Sequence, residues 1–413
     1  MKILHISMDN TGGAGLAAER LHLGLRAAGI DSKMLVLRKR GDAEEVHRYR
    51  EHGKNLPSAK SGLSLIRAAS QRMGLPISRA QRYRNRVHRL KLKTNPAPFF
   101  TLPFTSFDVT THPLVRESDI IHLHWVADFV DIPTFFRNVD KPVVWTLHDE
   151  NAFLGGFHYA AQRDQANATY RALDDELANA KCASIMKANS LTFKFLSRMM
   201  EEKYRNHRIV AGRPTFTIPN SVDTRVFRPV RRSLAREFWG LSDQDVVLCF
   251  AANPLWGARK GLRELIEAVR MLDRSDLTIM AIGKGNPNSP SGVPVFFTGH
   301  LTDERLMALA YSAGDVFVMP SFQEAFAQTP LEAMACGLPT VAFPCSGTEE
   351  LMYTGNGVLT SEFTSMALAA GLRLALTKTY DAAGIRADIS ERFRVDVIVR
   401  KHLVAYQKVI SHL

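Results

Sequence analysis

Two glutamates lie around a predicted helix start, and their types and spacing could bind a ligand. Glu324 and Glu332 are eight residues apart, and Thr329-Pro330 stands between them. This pattern predicts Thr329 as the N-cap of a helix, with Glu332 either as its capping-box partner or as a functional group. A carboxylate binds sugar hydroxyls, and the free N–H groups of a helix start bind phosphate. The combination indicates a sugar nucleotide as the ligand.

A predicted strand, loop, helix and strand must position this pair. The apolar run Val316–Met319 predicts a buried parallel strand, and residues 340–343 predict the next one. Gly337 is placed to end the helix in the left-handed conformation, and Pro339 prevents its continuation. Glu324 therefore follows the carboxyl end of a strand, where ligands bind in open α/β sheets.

The unit resembles the donor-site signature of retaining GT-B glycosyltransferases (family 4-like), which include many bacterial polysaccharide and lipopolysaccharide transferases. The resemblance implies that Glu324 contacts the transferred sugar and that Glu332 contacts the ribose of the nucleotide. It implies donor binding by the residues between them, Ala325, Phe326 and Ala327. The family often has glycine where this chain has the two alanines.

The N-terminal sequence predicts a second loop that could bind phosphate. Residues 2–8 predict a strand, and a glycine-containing loop precedes a helix predicted at residues 16–28. The resemblance implies that the backbone at Gly12 and Gly13 approaches the donor diphosphate.

The same loop permits a different interpretation. Gly13, Gly15 and Ala18 match a loose dinucleotide fingerprint, although residues 38–40 are basic where an acid is expected. Basic residues there could bind the phosphate of NADP, so an NADP-dependent oxidoreductase remains an alternative.

His148 is the candidate site residue of the first half, because it follows a strand predicted at residues 143–147. The run WTLHDENAFLGGFHY resembles a subgroup of polysaccharide transferases in which this histidine faces the donor sugar. Asp149 and His158 are further candidates. His122 and His124 alternate on another predicted strand and are interpreted as core or rim histidines.

A second half begins with a strand at Val246–Ala251 and a loop that ends at Gly261. The helix dipole disfavours cations at a helix start, so Arg259 and Lys260 before the next helix predict a phosphate partner. In the family a lysine before this glycine binds the diphosphate, and Lys260 matches it. The position of the family's usual arginine holds Leu255, and Arg259 is a candidate replacement.

Composition narrows the class of protein. The 413 residues have ordinary globular hydrophobicity, and four scattered cysteines indicate neither disulfides nor a zinc site. With no apolar run of spanning length and no signal-peptide pattern, a cytoplasmic location is expected. No metal is expected, because no Asp-x-Asp pair stands at a strand end, and no cofactor is expected beside the nucleotide sugar substrate.

The net charge of +12 is concentrated in one segment. Residues 60–93 hold ten lysines and arginines and no acid. The segment is either a solvated pair of basic helices or a surface drawn to the inner face of an anionic membrane. Nucleic acid is ranked last, because no single-strand motif or recognition-helix pattern accompanies the charge.

These observations predict an α/β protein with two Rossmann-like domains facing across a cleft, as in the GT-B fold. The expected domains are an N-terminal acceptor-side domain at 1–212 and a donor domain at 213–395. A final helix at 396–413 is expected, by analogy, to pack back on the first domain. A further strand is expected at residues 184–188, and residues 41–104 are interpreted as an insertion beside the sheet.

The expected activity is retaining transfer of a hexose from a UDP- or GDP-sugar to a hydroxyl of a glycan or lipid-linked acceptor, in cell-surface polysaccharide biosynthesis. Front-face attack is preferred, because no carboxylate is placed as a covalent nucleophile. Lys260 and the first-half glycine loop are expected to bind one diphosphate from opposite sides. The alternatives are an epimerase of the same fold, the NADP-dependent oxidoreductase, and an inactive relative that binds a partner.

Overall fold

The computed structural model describes residues 1–50, 78–94, 97–285 and 292–411. The chain divides into two compact units, each built on its own sheet. The first unit comprises residues 1–194, 206–215 and 409–413, and the second comprises 195–205 and 216–408.

The first unit is built on a seven-stranded sheet in the order β3-β2-β1-β4-β5-β6-β7. Its strands are β1 (Lys2–Asp9), β2 (Asp31–Arg38), β3 (Val46–Arg48), β4 (Ile120–Leu123), β5 (Val143–Thr146), β6 (Leu191–Phe195) and β7 (Thr215–Thr217).

The second unit is built on a six-stranded sheet in the order β10-β9-β8-β11-β12-β13. Its strands are β8 (Val246–Ala251), β9 (Leu277–Ile282), β10 (Val295–Gly299), β11 (Val316–Met319), β12 (Thr340–Ala342) and β13 (Gly357–Leu359). Neighbouring strands of this sheet pair in parallel.

Helices connect the strands. Those of the first unit are α1 (Gly12–Ala27), α2 (Arg79–Leu92), α3 (Pro113–Glu117), α4 (Ile132–Asn138), α5 (Ala160–Asp164) and α6 (Ala168–Ile185). Those that follow are α7 (Arg198–Tyr204), α8 (Arg232–Trp239), α9 (Leu262–Arg270), α10 (Glu304–Ala313), α11 (Gln328–Ala335), α12 (Thr348–Leu351), α13 (Ser365–Thr377), α14 (Ala382–Phe393) and α15 (Val395–Ser411). Short 3-10 helices lie at Val109–Thr111 and Ala258–Lys260.

Both sheets reverse their strand order at one point, and that point fixes where each site can form. In the first sheet the chain winds outward from β1 and then returns to add β4 on its other side. In the second sheet β8 and β11 have the same relation. Loops after such a pair of strands diverge and leave a crevice at the carboxyl edge, as in Rossmann folds. The prediction of two Rossmann-like domains is therefore confirmed.

Apolar strands explain why the second sheet is buried. Val316–Met319 is buried at all four positions, as a parallel strand covered on both faces should be. Helix α11 ends in a Schellman motif, where Gly337 has φ +84° and its N–H donates to the Met334 carbonyl oxygen at 2.8 Å. The predicted end of this helix at Gly337 is therefore confirmed.

Three local predictions are wrong. Residues 184–188 form no strand, because α6 continues through Ile185 and the strand lies at Leu191–Phe195. Thr329 is not an N-cap, because α11 begins at Gln328 after Ala327, which makes no side-chain cap. Residues 41–104 are not wholly an insertion, since Val46–Arg48 pairs with β2 as an edge strand of the sheet.

In the described part of the chain, no helix is both long and apolar enough to cross a membrane.

Candidate functional site

The loops after β8 and β11 bring three predicted site residues of the second unit together. The Lys260 ammonium lies 2.6 Å from Oε1 of Glu324, and the Arg259 guanidinium lies 2.8 Å from the same oxygen. Both ion pairs use Oε1, so neither requires the second oxygen, Oε2. Sixty-four residues separate Lys260 from Glu324 along the chain, and the reversal of strand order makes them neighbours.

The electrostatics of this cluster keep Glu324 ionised although its side chain is only 10% exposed. Burial alone would raise the pKa of the carboxyl, but Lys260, Arg259 and a hydrogen bond from Ser321 hold the pKa below its usual range. The cluster carries one carboxylate and two cations, so it retains a net positive charge.

Gly261 allows the two loops to approach each other. Its φ is +75°, and a Cβ atom there would lie 2.0 Å from the carbonyl oxygen of Pro320. The Phe322 N–H donates to the Arg259 carbonyl oxygen at 2.9 Å and joins the loops through their backbones. A close approach of this kind requires a residue without a side chain.

The predicted donor-binding loop is buried. Ala325, Phe326 and Ala327 are each less than 10% exposed, and Gly347 packs against Phe326. Ala327 has φ −71°, so alanine is not strained there although the family often has glycine.

Glu332 is the second glutamate of the predicted donor site. It is buried on α11, and the Tyr311 hydroxyl on α10 donates to its Oε2 at 3.4 Å. The predicted contact of Glu332 with ribose stays a prediction.

In the first unit, Gly12 and Gly13 begin α1. Gly12 has φ +68°, and a Cβ atom on either glycine would meet no described atom within 4 Å. The crowded glycine is Gly15, where a Cβ atom would lie 2.8 Å from the Asp9 carbonyl oxygen. The sequence predicted these glycines in a loop before a helix that starts at residue 16, but they form the first turn of α1, and Gly15 is the glycine that packing requires.

His148 follows β5 and is hydrogen-bonded to the segment that follows the neighbouring strand β4. Its Nε2 lies 3.1 Å from Nδ1 of His124. Burial, followed by the nearby Lys194 ammonium, lowers the pKa of His148 to about 3, so the imidazole is neutral at physiological pH. A shallow pocket at this edge is lined by His124, Trp125, His148 and Asp149 among others.

Asp149 and His158 form a pair beside His148. Asp149 Oδ2 lies 2.6 Å from Nδ1 of His158 and accepts a hydrogen bond from the Trp125 indole at 2.7 Å. Burial would raise the pKa of the Asp149 carboxyl, but His158 and the hydrogen bonds from Asn151 and Trp125 hold it below its usual range. The other nitrogen of His158 lies 3.0 Å from the Thr101 hydroxyl.

Two buried charges that support this loop were missed from the sequence. Asp174 on α6 accepts the Gly156 N–H at 2.7 Å, and a Cβ atom on Gly155 would lie 2.0 Å from its carbonyl oxygen. Lys181 on the same helix donates to the carbonyl oxygens of Asn151 and Leu154. Both residues contact a glycine turn that is distant in the sequence, so no local sequence pattern identifies them.

Comparison with known proteins shows which family part of the chain resembles. Residues 245–378 match the model of the family described as glycosyl transferases group 1. A GDP-mannose-dependent alpha-(1-6)-phosphatidylinositol dimannoside mannosyltransferase from Mycobacterium tuberculosis is 27% identical over 150 residues, which are 35% of this chain and 39% of that protein. The chain thus spans about two fifths of the length of this relative.

Solved structures match the whole chain. The sucrose-phosphate synthase of Thermosynechococcus elongatus has a TM-score of 0.66 at 20% identity, with all of both chains covered. Anabaena HepE, solved in complex with UDP-glucose, has a TM-score of 0.63 at 18% identity, covering 99% of this chain and 100% of its own. At these identities the likeness shows the fold alone, and it is the predicted GT-B fold. The chain therefore has the GT-B fold, and its residues 245–378 match the model of the glycosyl transferases group 1.

Proposed function

We propose that this protein is a glycosyltransferase that moves a sugar from a nucleotide diphosphate sugar to a hydroxyl of an acceptor. The observation that carries the proposal is the cluster of Arg259, Lys260 and Glu324 at the strand-order reversal of the second sheet. It holds, side by side, the two kinds of group that such a donor needs.

Diphosphate capture follows from the excess of positive charge. The two cations now share one oxygen of Glu324, and a diphosphate offers them more negative charge than that carboxylate does. Arginine binds phosphate oxygens in pairs, and lysine does so as a point charge. The ammonium is 23% exposed and the guanidinium 25% exposed, so a ligand can reach both.

Sugar recognition falls to Glu324. Its Oε2 takes part in neither ion pair and can accept hydrogen bonds from hydroxyls of the transferred sugar. Because the carboxyl is held ionised, it acts as an acceptor and stabilises positive charge that develops on the sugar ring.

Transfer breaks the bond between the anomeric carbon and the diphosphate oxygen and forms one to the acceptor oxygen. The acceptor hydroxyl proton passes to the departing phosphate, and Arg259 and Lys260 stabilise the charge left on that diphosphate. We propose attack on the face that the diphosphate leaves, which retains the anomeric configuration.

For the substrates we propose a hexose donor carried on UDP or GDP, and a glycan or lipid-linked acceptor of cell-surface polysaccharide biosynthesis. The names of the mycobacterial relative and the HepE complex support these two nucleotides. None of the three similar proteins named above is an epimerase or an oxidoreductase, and no contact in the described residues favours either alternative.

The donor is identified by thermal-shift screening of UDP- and GDP-sugars. A ligand at 100 times its dissociation constant adds about 2.7 kcal/mol to stability, which is readily measured. A stabilising donor is then incubated with candidate glycan acceptors, and the anomeric configuration of the product is read by NMR. Stabilisation by no nucleotide sugar would contradict the proposal.

Glu324→Gln is expected to lower turnover by raising the activation free energy by about 2.7–4 kcal/mol, the scale for the loss of one transition-state contact. The effect on donor binding is expected to be smaller. The matched control is Glu267→Gln, which removes an exposed carboxylate paired with Arg270 in the same unit. Near-parental turnover of Glu324→Gln would remove this residue from the mechanism.

A further inference from the structure

A chain of three hydrogen-bonded imidazoles runs through the first sheet to the candidate site. Nδ1 of His5 lies 2.9 Å from Nε2 of His124, and Nδ1 of His124 lies 3.1 Å from Nε2 of His148. These residues stand on β1, on the segment that follows β4, and after β5, three neighbours at the strand-order reversal. Both distances are those of hydrogen bonds.

Proton counting couples the three residues. A neutral imidazole carries one N–H, so His124 can donate in only one of its two bonds and must accept in the other. If it donates to His148, then His5 donates to it, and the proton of His148 is on Nδ1. If it donates to His5, then His148 donates to it, and Nδ1 of His148 is bare.

The neutral state that this argument needs is supported for His148. Burial, with the nearby Lys194, lowers its pKa to about 3, while Asp149 acts in the opposite direction. His5 and His124 are both at most 2% exposed within the sheet.

We infer that His5 and His124 are positioning residues that set the tautomer of His148. The nitrogen of His148 outside this chain, Nδ1, then meets a ligand as a fixed donor or a fixed acceptor, and residues deep in the sheet decide which. That this nitrogen meets a sugar hydroxyl rests on the proposed function, whereas the coupling itself does not.

A metal ion is the competing explanation, because nitrogens of His5, His122 and His124 all lie within 4.8 Å of one another. Two nitrogens bound to one tetrahedral zinc at about 2.1 Å would stand roughly 3.4 Å apart. The 2.9 Å between His5 and His124 is shorter and fits a shared proton.

The test is nitrogen NMR of the full-length protein labelled with 15N-histidine, which distinguishes the two tautomers of each ring. In the parent protein we expect His124 and His148 to carry their protons on nitrogens of the same name, both Nδ1 or both Nε2. Opposite nitrogens in the two residues would overturn the inference without any variant.

Variants of His5 then test the direction of control. His5→Leu is expected to convert His148 from one tautomer to a mixture or to the other tautomer. His5→Asn is expected to keep one tautomer, because an amide can still donate or accept near the position of Nδ1. An unchanged His148 spectrum in His5→Leu would overturn the inference.

His22→Leu is the matched control. This buried imidazole lies 6.0 Å from His5 between ring centroids, but its nitrogens bond to the Ser32 hydroxyl and the Glu44 carbonyl oxygen. We expect it to leave the His148 spectrum unchanged. Stoichiometric metal in the purified protein, lost in His5→Leu, would replace the proton chain with a metal site.

Activity gives a separate readout. With a working donor and acceptor, His5→Leu is expected to lose about tenfold in turnover, the scale of one hydrogen bond, and His5→Asn is expected to recover most of it. If the protein transfers no sugar, the proposed function fails, while the NMR result still decides the coupling.

Discussion

Glu324 remains ionised inside the second unit because two cations lie against one of its oxygens. Removing a cation therefore does more than remove a phosphate ligand, since it also leaves a buried carboxylate with only one ion-pair partner. The contacts of the free protein and those expected for the bound donor use the same two side chains. Under the proposed function, binding of the nucleotide and the charge state of Glu324 are thus coupled.

Lys260→Ala is expected to weaken binding of the bare nucleoside diphosphate by roughly 2–5 kcal/mol, the range for truncating one partner of a buried charge pair. Titration calorimetry with UDP and GDP measures the change. Arg263→Ala is the control, because it removes an exposed cation three residues further along the chain. If Lys260→Ala binds as the parent does, the phosphate site lies elsewhere.

Lys194 is a second informative residue, because it is a lysine buried within β6. Burial lowers its pKa from 10.5 to about 7. Between these values the unfolded chain binds a proton that the folded protein does not. Stability attributable to this residue therefore rises with pH across the window, and the full penalty is present below about pH 7.

Lys194→Met is expected to be more stable than the parent at pH 7, by up to about 5 kcal/mol, with the difference disappearing toward pH 10.5. Urea unfolding at several pH values measures it. Lys187→Met, at an exposed lysine nearby in the chain, should show no such trend. A difference that stays constant between pH 7 and pH 10 would show that the pKa of Lys194 is not depressed.

At the scale of elements, Gly261 determines whether the loops after β8 and β11 can meet. It combines positive φ with a close approach to Pro320, whereas Gly240 has the positive φ alone and Gly257 has neither feature. Gly240 has φ +66° but open space, while Gly257 has φ −60° and ordinary contacts from 3.4 Å.

Gly261→Ala is expected to cost about 2–4 kcal/mol of unfolding free energy, from left-handed strain together with overpacking against Pro320. Gly240→Ala should cost about 1–2 kcal/mol from strain alone, and Gly257→Ala should cost less than about 0.5 kcal/mol. Urea denaturation ranks the three variants. Equal losses at Gly240 and Gly261 would mean that the loops can separate without cost.

The same elements show how far sequence could predict this fold. Val316–Met319 and Val246–Ala251 were predicted with their observed bounds, because each is an apolar run that polar or turn residues delimit. The strand predicted at residues 184–188 was wrong, because Ile185 and Ala188 form a locally apolar patch that resembles a strand. The helical periodicity of Tyr170, Leu173 and Leu177 continues to Ile185 and overrides it.

The candidate site was only partly predictable for a related reason. Lys260 and Glu324 could be singled out, since each follows a strand and matches a motif. Their pairing depended on the strand order of the sheet, which local pattern does not contain. Asp174 and Lys181 look like solvated residues of a polar helix in the sequence, and only the fold places them under a glycine turn.

At the scale of the whole molecule, the protein has an excess of positive charge, and on α2 only some of the basic side chains have an acidic or aromatic partner. Arg86 pairs with Glu176, and the Arg79 guanidinium lies 3.9 Å from the centroid of the Phe104 ring. The predicted basic segment at 60–93 falls partly outside the described residues. Within α2 the exposed arginines and lysines are Arg79, Arg82, Arg84, Arg89 and Lys91.

We propose that the exposed basic residues of α2 bind anionic membrane surfaces, where a lipid-linked acceptor would be held. Each basic residue near the lipid contributes about 1 kcal/mol, so replacing Arg82, Arg84 and Arg89 with Gln should weaken vesicle binding by up to about 3 kcal/mol. Co-sedimentation with anionic vesicles measures the loss, and added salt should reduce parental binding. The control replaces three exposed cations elsewhere with Gln, namely Arg263, Lys378 and Lys401, for the same change in net charge. Equal losses in the two triple variants, or equal parental binding to neutral vesicles, would contradict a role for this helix.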